Sequence, residues 1–256
     1  MSSSELSRLR SPFSGGEVIH LLEVDSTMRY ARRLMESKRD LHGTVIVADH
    51  QTAGVGRGRE SAWEDEAGAN LLVTVILRRG EGETAEESLR LSLLTGLGVC
   101  ETLDAYIAER ATLKWPNDVL IRGKKACGIL CEQGGGYARV GIGINLNARS
   151  VPERTRIPAT SVALETGSDY SRRTVLLRLL ERLAARLSLE ELPTEELNGR
   201  LAFRGRPVRC ELFRRGSAEE IEGILRGIDR SGALLLEMSG GIEELHAARL
   251  LSLRAL

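Results

Sequence analysis

The sequence predicts an α+β fold, with a mixed sheet carrying helices followed by a small all-β barrel. Three observations lead there. Strand-like and helix-like runs interleave up to Pro193, but two strand-like runs meet directly at a Gly123-Lys124 reversal, which a strict βαβ series would not allow. The turn-forming Trp115-Pro116-Asn117-Asp118 precedes that reversal, so it opens a hairpin rather than a crossover. After Pro193 the composition shifts to short apolar runs separated by Gly216, Asp229 to Gly232 and Gly240-Gly241, the pattern of a small barrel of about fifty residues.

Taken in order, residues 1–16 are rich in Ser and Gly and predict a flexible lead-in too short to fold alone. Glu17 to Val24 reads as a strand, and Asp25-Ser26-Thr27 then supplies N-cap side chains to a helix running to about Ser37. Its first-turn amides are left for a ligand or a cap. Thr44 to Asp49 is a strand, Gln51 to Ala69 a long glycine-rich loop, and Asn70 to Leu77 a strand with β-branched residues. Loops of that length usually carry function. From about Thr84 to Glu109, Leu89, Leu93, Leu97 and Leu103 recur at helical spacing and predict a helix with a core face. The hairpin through Glu132, a reversal at Gly134 to Gly136 and the strand Arg139 to Leu146 complete the sheet. A short helix near Ser161 to Thr166 and a longer one from about Arg173 to Leu189 follow. Strands at Val208 to Phe213, Glu220 to Ile228, Ala233 to Met238 and Leu250 to Leu253 fill the last part, with a domain boundary near Gly205.

At 256 residues the chain can bury a substantial core in one or two domains. Lys plus Arg and Asp plus Glu stand at 36 each, so no global field favours nucleic acid or an acidic membrane as partner, and local clusters must carry any anion binding. No run approaches the ~18 apolar residues of a spanning helix, and the polar start lacks the apolar middle of a signal peptide, which predicts a cytoplasmic protein. Cys100, Cys127, Cys131 and Cys210 lie in apolar surroundings and read as buried free thiols, with Cys127 and Cys131 on one side of a strand; the four histidines are scattered, against a metal site.

Three segments carry chemistry. In Lys114 to Glu132, Pro116 fixes φ and gives no amide to a ladder, so the turn is tight, and Lys125 opens a strand beside Asp118. Gly128 interrupts that strand, as at a bulge or a close approach of ligand to backbone. From these residues alone, a surface hairpin with solvated lysines is the other reading. In Gln51 to Trp63, glycines alternate with residues including Arg57 and Arg59; backbone amides can approach an anion while guanidinium groups fork onto carboxylate or phosphate. The spacing is neither a P-loop nor a dinucleotide fingerprint, and a flexible surface segment is the alternative. In Gly141 to Asn147 two glycines strip one face of a strand, opening room for a flat ligand or for a tightly packed helix.

Together and in order, DSTM (Asp25 to Met28), QTAGVGR (Gln51 to Arg57), KWPND (Lys114 to Asp118), KKACGILCE (Lys124 to Glu132) and GIGINLN (Gly141 to Asn147) resemble the biotin protein ligases. GIDRSGALLLE, Gly227 to Glu237, is similar to that family's SH3-like C-terminal domain. The resemblance implies a catalytic domain related to the class II aminoacyl-tRNA synthetases over 17–205 and an SH3-like barrel over 206–256. It also implies a two-step reaction, in which biotin and ATP give biotinyl-5′-AMP and a lysine of a biotin carboxyl carrier protein then takes the biotinyl group. Two anions must meet in the first step, so cations are required there.

By the same resemblance Lys125 contacts the biotin carboxyl and the phosphate, and Arg57 holds the phosphate side. Ser26, Thr27 and Gln51 take the polar ureido ring, Gly128 and Gly143 form the floor under the apolar part, and Met28, Val55 and Gly56 complete the biotin pocket. Arg59, Trp63, Asn117 and Asn145 join Arg57 and Lys125 at the adenylate; Asn117 also serves to hold the turn. Asp118 orients or deprotonates the incoming amine. The family's Mg²⁺ is held as much by ATP as by protein, and no protein ligand for it is assigned.

The chain departs from the family where Val55 takes the first Arg position of the glycine loop, where Glu60-Ser61-Ala62 replaces basic or small residues, and where Met28 replaces a common Asn. That leaves Arg57 and Arg59 competing for the principal phosphate contact, with the distance from Gln51 favouring Arg57. Residues before Glu17 leave no room for a winged-helix domain, so DNA-linked repression is not expected, while a homodimer is left open. A lipoate ligase or octanoyltransferase and a non-catalytic biotin sensor are the competing readings; the Asp25-Ser26-Thr27 pocket opposes the first, and retention of both Lys125 and Arg57 opposes the second.

Overall fold

The computed structural model describes residues 6, 9–36, 40–57, 62–79, 84–151, 158–214, 216–247 and 250–256. In chain order the first part holds strand β1 (Val18–Val24), helix α1 (Thr27–Met35), β2 (Val45–Gln51), the two-residue strands β3 (Gly54–Val55) and β4 (Ala62–Trp63), and β5 (Leu71–Arg78). Helix α2 (Ala85–Leu103), β6 (Thr112–Lys114), β7 (Asp118–Ile121), β8 (Lys124–Gly134) and β9 (Tyr137–Ile144) come next. Three helices follow, α3 (Val162–Thr166), α4 (Arg172–Leu187) and α5 (Thr194–Arg200). The chain ends in β10 (Pro207–Arg214), β11 (Ser217–Ile228), β12 (Leu234–Met238), β13 (Gly241–Leu245) and β14 (Leu250–Ala255).

Seven strands make one mixed sheet in the order β1-β2-β5-β9-β8-β7-β6. Only β1 and β2 run parallel, with α1 as their crossover; the other neighbours are antiparallel. Period-2 alternation divides the sheet between two cores. Ile46 and Ile76 face Ala31 and Leu41 on the α1 side, while Val45, Val47, Val73 and Val75 face the larger core. Helix α2 packs against α4 and across β6 to β9, and its Leu93, Leu94 and Leu97 are fully buried, each contributing on the order of 2 kcal/mol. Thr84 caps α2 by accepting from the Glu87 amide. The helix stops at Leu103, short of the predicted Glu109, because Asp104 turns to accept from the Ala111 amide and pairs with Arg200.

The C-terminal strands form an antiparallel sheet ordered β13-β12-β11-β10-β14. Among the described residues no ladder joins β13 to β14, so the predicted barrel is observed as a five-stranded sheet with two ends. This unit is clamped to the rest: Trp115 Nε1 donates to the Gly232 carbonyl at 2.9 Å, and Asn198 of α5 donates to the Ile228 carbonyl while accepting from its amide. Strand β13, helix α5 and the β3–β4 hairpin were not predicted.

The lead-in expected to be flexible is docked where it is described. Leu6 and Leu9 are buried, Phe13 packs on the core, and the Ser11 hydroxyl donates to the Gly43 carbonyl at 2.6 Å. The Ser and Gly content of this segment masks the apolar Leu6, Leu9 and Phe13 that anchor it. The thiols of Cys100, Cys127 and Cys210 are buried and that of Cys131 half-buried, all free, and Cys127 and Cys131 share the α2 side of the sheet as their even spacing requires. Among the described residues no helix is long and apolar enough to cross a membrane.

Candidate active site

A cavity of about 1370 Å³ opens on the face of the sheet that carries α1, over the stretch of β8 and β9 that α1 leaves uncovered. One end is polar. The N-cap of α1 is Ser26, whose hydroxyl makes no capping bond; it is fully buried, lines the cavity and has no hydrogen-bond partner. Next to it the amide and hydroxyl of Thr27 both donate to Gln51 Oε1, at 2.8 and 3.1 Å, and the Thr74 hydroxyl donates to Thr27 Oγ1 at 2.8 Å. The predicted free first-turn amide of Thr27 is thus taken by Gln51. Thr74 was missed, although a Thr in the otherwise apolar run of β5 is a signal that its hydroxyl needs a partner.

The middle of the cavity is floored by glycine. Gly128 and Gly143 are cross-strand partners in β8 and β9, and a Cβ on either would meet the Trp63 ring, at 2.9 and 2.6 Å. The room that two missing side chains create is therefore filled by the indole, whose buried Nε1 has no partner. Gly141, one step along, makes the same allowance for Met28 Sδ at 2.8 Å. Val55 and Gly56 close the side of the cavity from the β3–β4 hairpin.

The far end is charged. Strands β6 and β7 are joined by the predicted tight turn, which sets Lys114 opposite Asp118 in register, and Asp118 in turn pairs with Gly128 of β8. Lys114 Nζ lies 3.2 Å from Asp118 Oδ2, and Lys125 Nζ lies 2.7 Å from Oδ1. Lys125 is pinned through its backbone, its amide donating to the Pro158 carbonyl and its carbonyl accepting from Thr160, while its ammonium stands 5.9 Å over the Trp63 ring. Burial pushes the Asp118 carboxyl up, but the two ammonium groups outweigh it and hold the carboxyl below the usual range. Burial pushes Lys114 down, against the pull of Asp118. Lys114 was not among the residues singled out in the sequence; a lysine closing a strand just before a Pro turn was the available signal.

Arg57 reaches this end from the glycine-rich loop. Its guanidinium donates to the carbonyls of Ala247 and Leu250, both at 3.1 Å, tying the loop to the C-terminal sheet. Glu211 and Arg254 of that sheet also line the cavity, a contribution without local signal in the sequence. Asn117 lines it too, but its side chain donates to the Ile129 carbonyl and its own carbonyl accepts the Ile129 amide, so it fastens the turn to β8. Asn145 is buried outside the lining, with Nδ2 given to the Thr160 carbonyl. Arg59 lies outside the described residues.

The arrangement offers a polar pocket, a flat apolar floor and two cationic arms beside an ionised carboxylate, which suits a ligand polar at one end and anionic at the other. Residues 22–147 match the Biotin/lipoate A/B protein ligase family, and residues 205–249 match the Biotin protein ligase C terminal domain. The chain is 36% identical to the Escherichia coli bifunctional ligase/repressor BirA over 243 residues, covering 90% of this chain and 72% of that protein. It is 34% identical to a biotin–[acetyl-CoA-carboxylase] ligase of Paracoccus denitrificans over 245 residues, 89% of this chain and 97% of the relative. Among solved structures, the Aquifex aeolicus biotin protein ligase in complex with biotin and ATP matches with a TM-score of 0.79 at 33% identity, covering 93% of this chain and 99% of that one. The chain therefore belongs to the biotin/lipoate A/B protein ligase family, within the branch that carries the biotin protein ligase C-terminal domain.

Proposed function

We propose that this protein is an ATP-dependent biotin–protein ligase, which activates biotin as biotinyl-5′-AMP and passes it to a lysine of a biotin carboxyl carrier protein. The observation that carries this reading is the Lys114–Asp118–Lys125 cluster at one end of a cavity whose other end holds the unspent Ser26 hydroxyl. In the first step a biotin carboxylate oxygen bonds to the α-phosphorus of ATP and pyrophosphate leaves. In the second the lysine nitrogen bonds to the acyl carbon, AMP leaves with the bonding electrons, and the amine gives up its surplus protons.

On this reading Ser26, Thr27 and Gln51 take the ureido ring, and Met28, Val55, Gly56, Gly128 and Gly143 surround the apolar part. Trp63, which lies on that floor, shifts to cover the adenylate alongside Arg59, while Asn117 holds the turn and Asn145 supports the strand from outside the cavity. Lys125 and Arg57 neutralise carboxylate and phosphate where they meet; for this Arg57 exchanges the carbonyls of Ala247 and Leu250 for phosphate oxygens, a stronger charge-assisted bond. Asp118, held ionised, orients the incoming amine. We read 17–205 as the catalytic unit, with 1–16 ahead of it and 206–256 as the C-terminal domain.

Mg²⁺ in this scheme would be held largely by the phosphates of ATP and would offset their charge, and no step is routed through the ion. Strand β1 is an edge of the larger sheet to which no further strand pairs among the described residues, with Leu22 exposed, and a second copy would pair there. A lipoate-type ligase shares the catalytic family, but the biotin-type C-terminal match and the polar Ser26 end favour biotin over a fatty acyl chain.

Pyrophosphate exchange into ATP with Mg²⁺, run with biotin, with lipoate or octanoate, and with no acid, tests the reading. Exchange with biotin alone is expected. Exchange driven by the fatty acids would move the assignment to a lipoate-type ligase, and none with any acid would sink the adenylating function.

A further inference from the structure

Resting on the ligase reading, we propose that Lys114 is a positioning residue: it holds Oδ2 of Asp118 so that Oδ1 serves one ammonium at a time, Lys125 until anionic substrates draw it away and the acceptor lysine thereafter.

The two oxygens of Asp118 are engaged separately, Oδ2 by Lys114 at 3.2 Å and Oδ1 by Lys125 at 2.7 Å. The two lysines differ in freedom. The side chain of Lys114 is 8% exposed and that of Lys125 30%, so Lys114 is enclosed while Lys125 stands at the open cavity. A lysine stem there can swing its point charge to an arriving anion without moving the backbone. When carboxylate and phosphate draw Lys125 away, Oδ1 is vacated at a spot that already fits a primary ammonium, the chemical group of the acceptor. Asp118 is nearly buried, and a buried carboxylate left with no cation is unstable, so the exchange needs a second ammonium that does not leave. Lys114 meets that need. Because Lys125 blocks the slot until an anion recruits it, the acceptor amine gains Asp118 only once substrate anions or the adenylate occupy the cavity.

The groups facing Asp118 are Lys114 from β6, Lys125 from β8 and, at longer range to Lys114, Arg57 from the glycine loop. The nearby thiols contribute no charge, since burial pushes Cys127 of β8 well up and Cys210 of β10 up to about 11. Taking away Lys114 therefore moves the Asp118 carboxyl upward and leaves Lys125 more firmly held.

The test separates the half-reactions in the full-length protein. Wild type, Lys114→Met, Lys114→Gln and Lys114→Arg are assayed for biotin-dependent pyrophosphate exchange and for single-turnover transfer from enzyme-bound biotinyl-5′-AMP to a carrier domain, from about pH 6 to about pH 9. Transfer by Lys114→Met is expected to fall by about tenfold or more at neutral pH, to recover as pH rises, and to be restored by Lys114→Arg. Lys114→Gln keeps a donor to Oδ2 without the charge; the same loss of transfer is expected of it, and it stands in for the Met variant should that one not fold. Equal losses in both half-reactions with an unmoved pH profile, or wild-type transfer in a folded neutral variant, would overturn the proposal. A wild type that gives no exchange with biotin would instead overturn the ligase reading itself, and the role of Lys114 with it.

Discussion

Lys125 and Arg57 reach the same end of the cavity from opposite kinds of scaffold. Lys125 sits in an antiparallel ladder, fixed by its neighbours Leu120 in β7 and Ala159, and its charge is balanced by Asp118 only a few residues away. Arg57 follows the two-residue strand β3, and its guanidinium donates to the carbonyls of Ala247 and Leu250, 190 and 193 residues further along the chain. The backbone of the first cation is fixed by local structure. The second is tied to another part of the molecule, and on the proposed reading it leaves those contacts to meet phosphate. The contrast teaches that one site can combine a cation whose backbone is set by its own ladder with one whose side chain is anchored by contacts distant in the chain.

The largest expected effect breaks the fixed side. Lys125→Ala removes the charge at which carboxylate and phosphate meet; biotin binding by calorimetry should persist while the adenylation rate falls ~100-fold or more, the loss typical of removing one such donor. Adenylation near the wild-type rate would remove Lys125 from the chemistry. A smaller loss is expected from the movable side: Arg57→Ala should lower adenylation by roughly tenfold, about one charge-assisted hydrogen bond. It should also raise hydrogen exchange across β14 in the absence of ligand. Exchange unchanged there would mean that the two carbonyl contacts do not tether the C-terminal sheet.

The smallest effect concerns a carboxylate that contrasts with Asp118. Asp25 is paired with Arg33 at 2.7 Å on the surface, and this hydrogen bond, against a small opposing cost of burial, lowers its carboxyl to about 2. Its folded value lies below its unfolded value, so its contribution to stability is present above the ordinary carboxylate range and is lost as pH falls toward about 2. Solvent screening keeps that contribution slight. In Arg33→Ala, NMR titration should find Asp25 back near the ordinary value with catalysis unchanged; a carboxyl that stayed near 2 would assign the shift to the Ser26 amide instead.

Much of the site was legible because its geometry is local. Pro116 and the Gly123 reversal fix a hairpin that sets Lys114 opposite Asp118, and a register shift between Val119 and Leu120 then brings Gly128 rather than Cys127 opposite Asp118. The glycines at 128 and 143 likewise announced a surface without side chains. What lies on it was not legible: the Trp63 indole rests on both glycines because the β3–β4 hairpin, too short to show a period, folds over them. Helix α5, only seven residues long, failed for the same reason, and β13 was hidden by the charged Glu243-Glu244 pair within it.

The sequence by itself determined the mixed sheet, the all-β C-terminal unit, the charged hairpin and the family to which they are similar, since alternation, turn chemistry and motif order are properties of neighbouring residues. The tertiary structure alone decided that Thr74 orients Thr27, that Lys114 shares Asp118 with Lys125, and that Arg57, Glu211 and Arg254 join the C-terminal sheet to the cavity. Those contacts link residues far apart in the chain or choose among rotamers; the first two are settled by packing within the larger sheet, and the last only once the two sheets have come together.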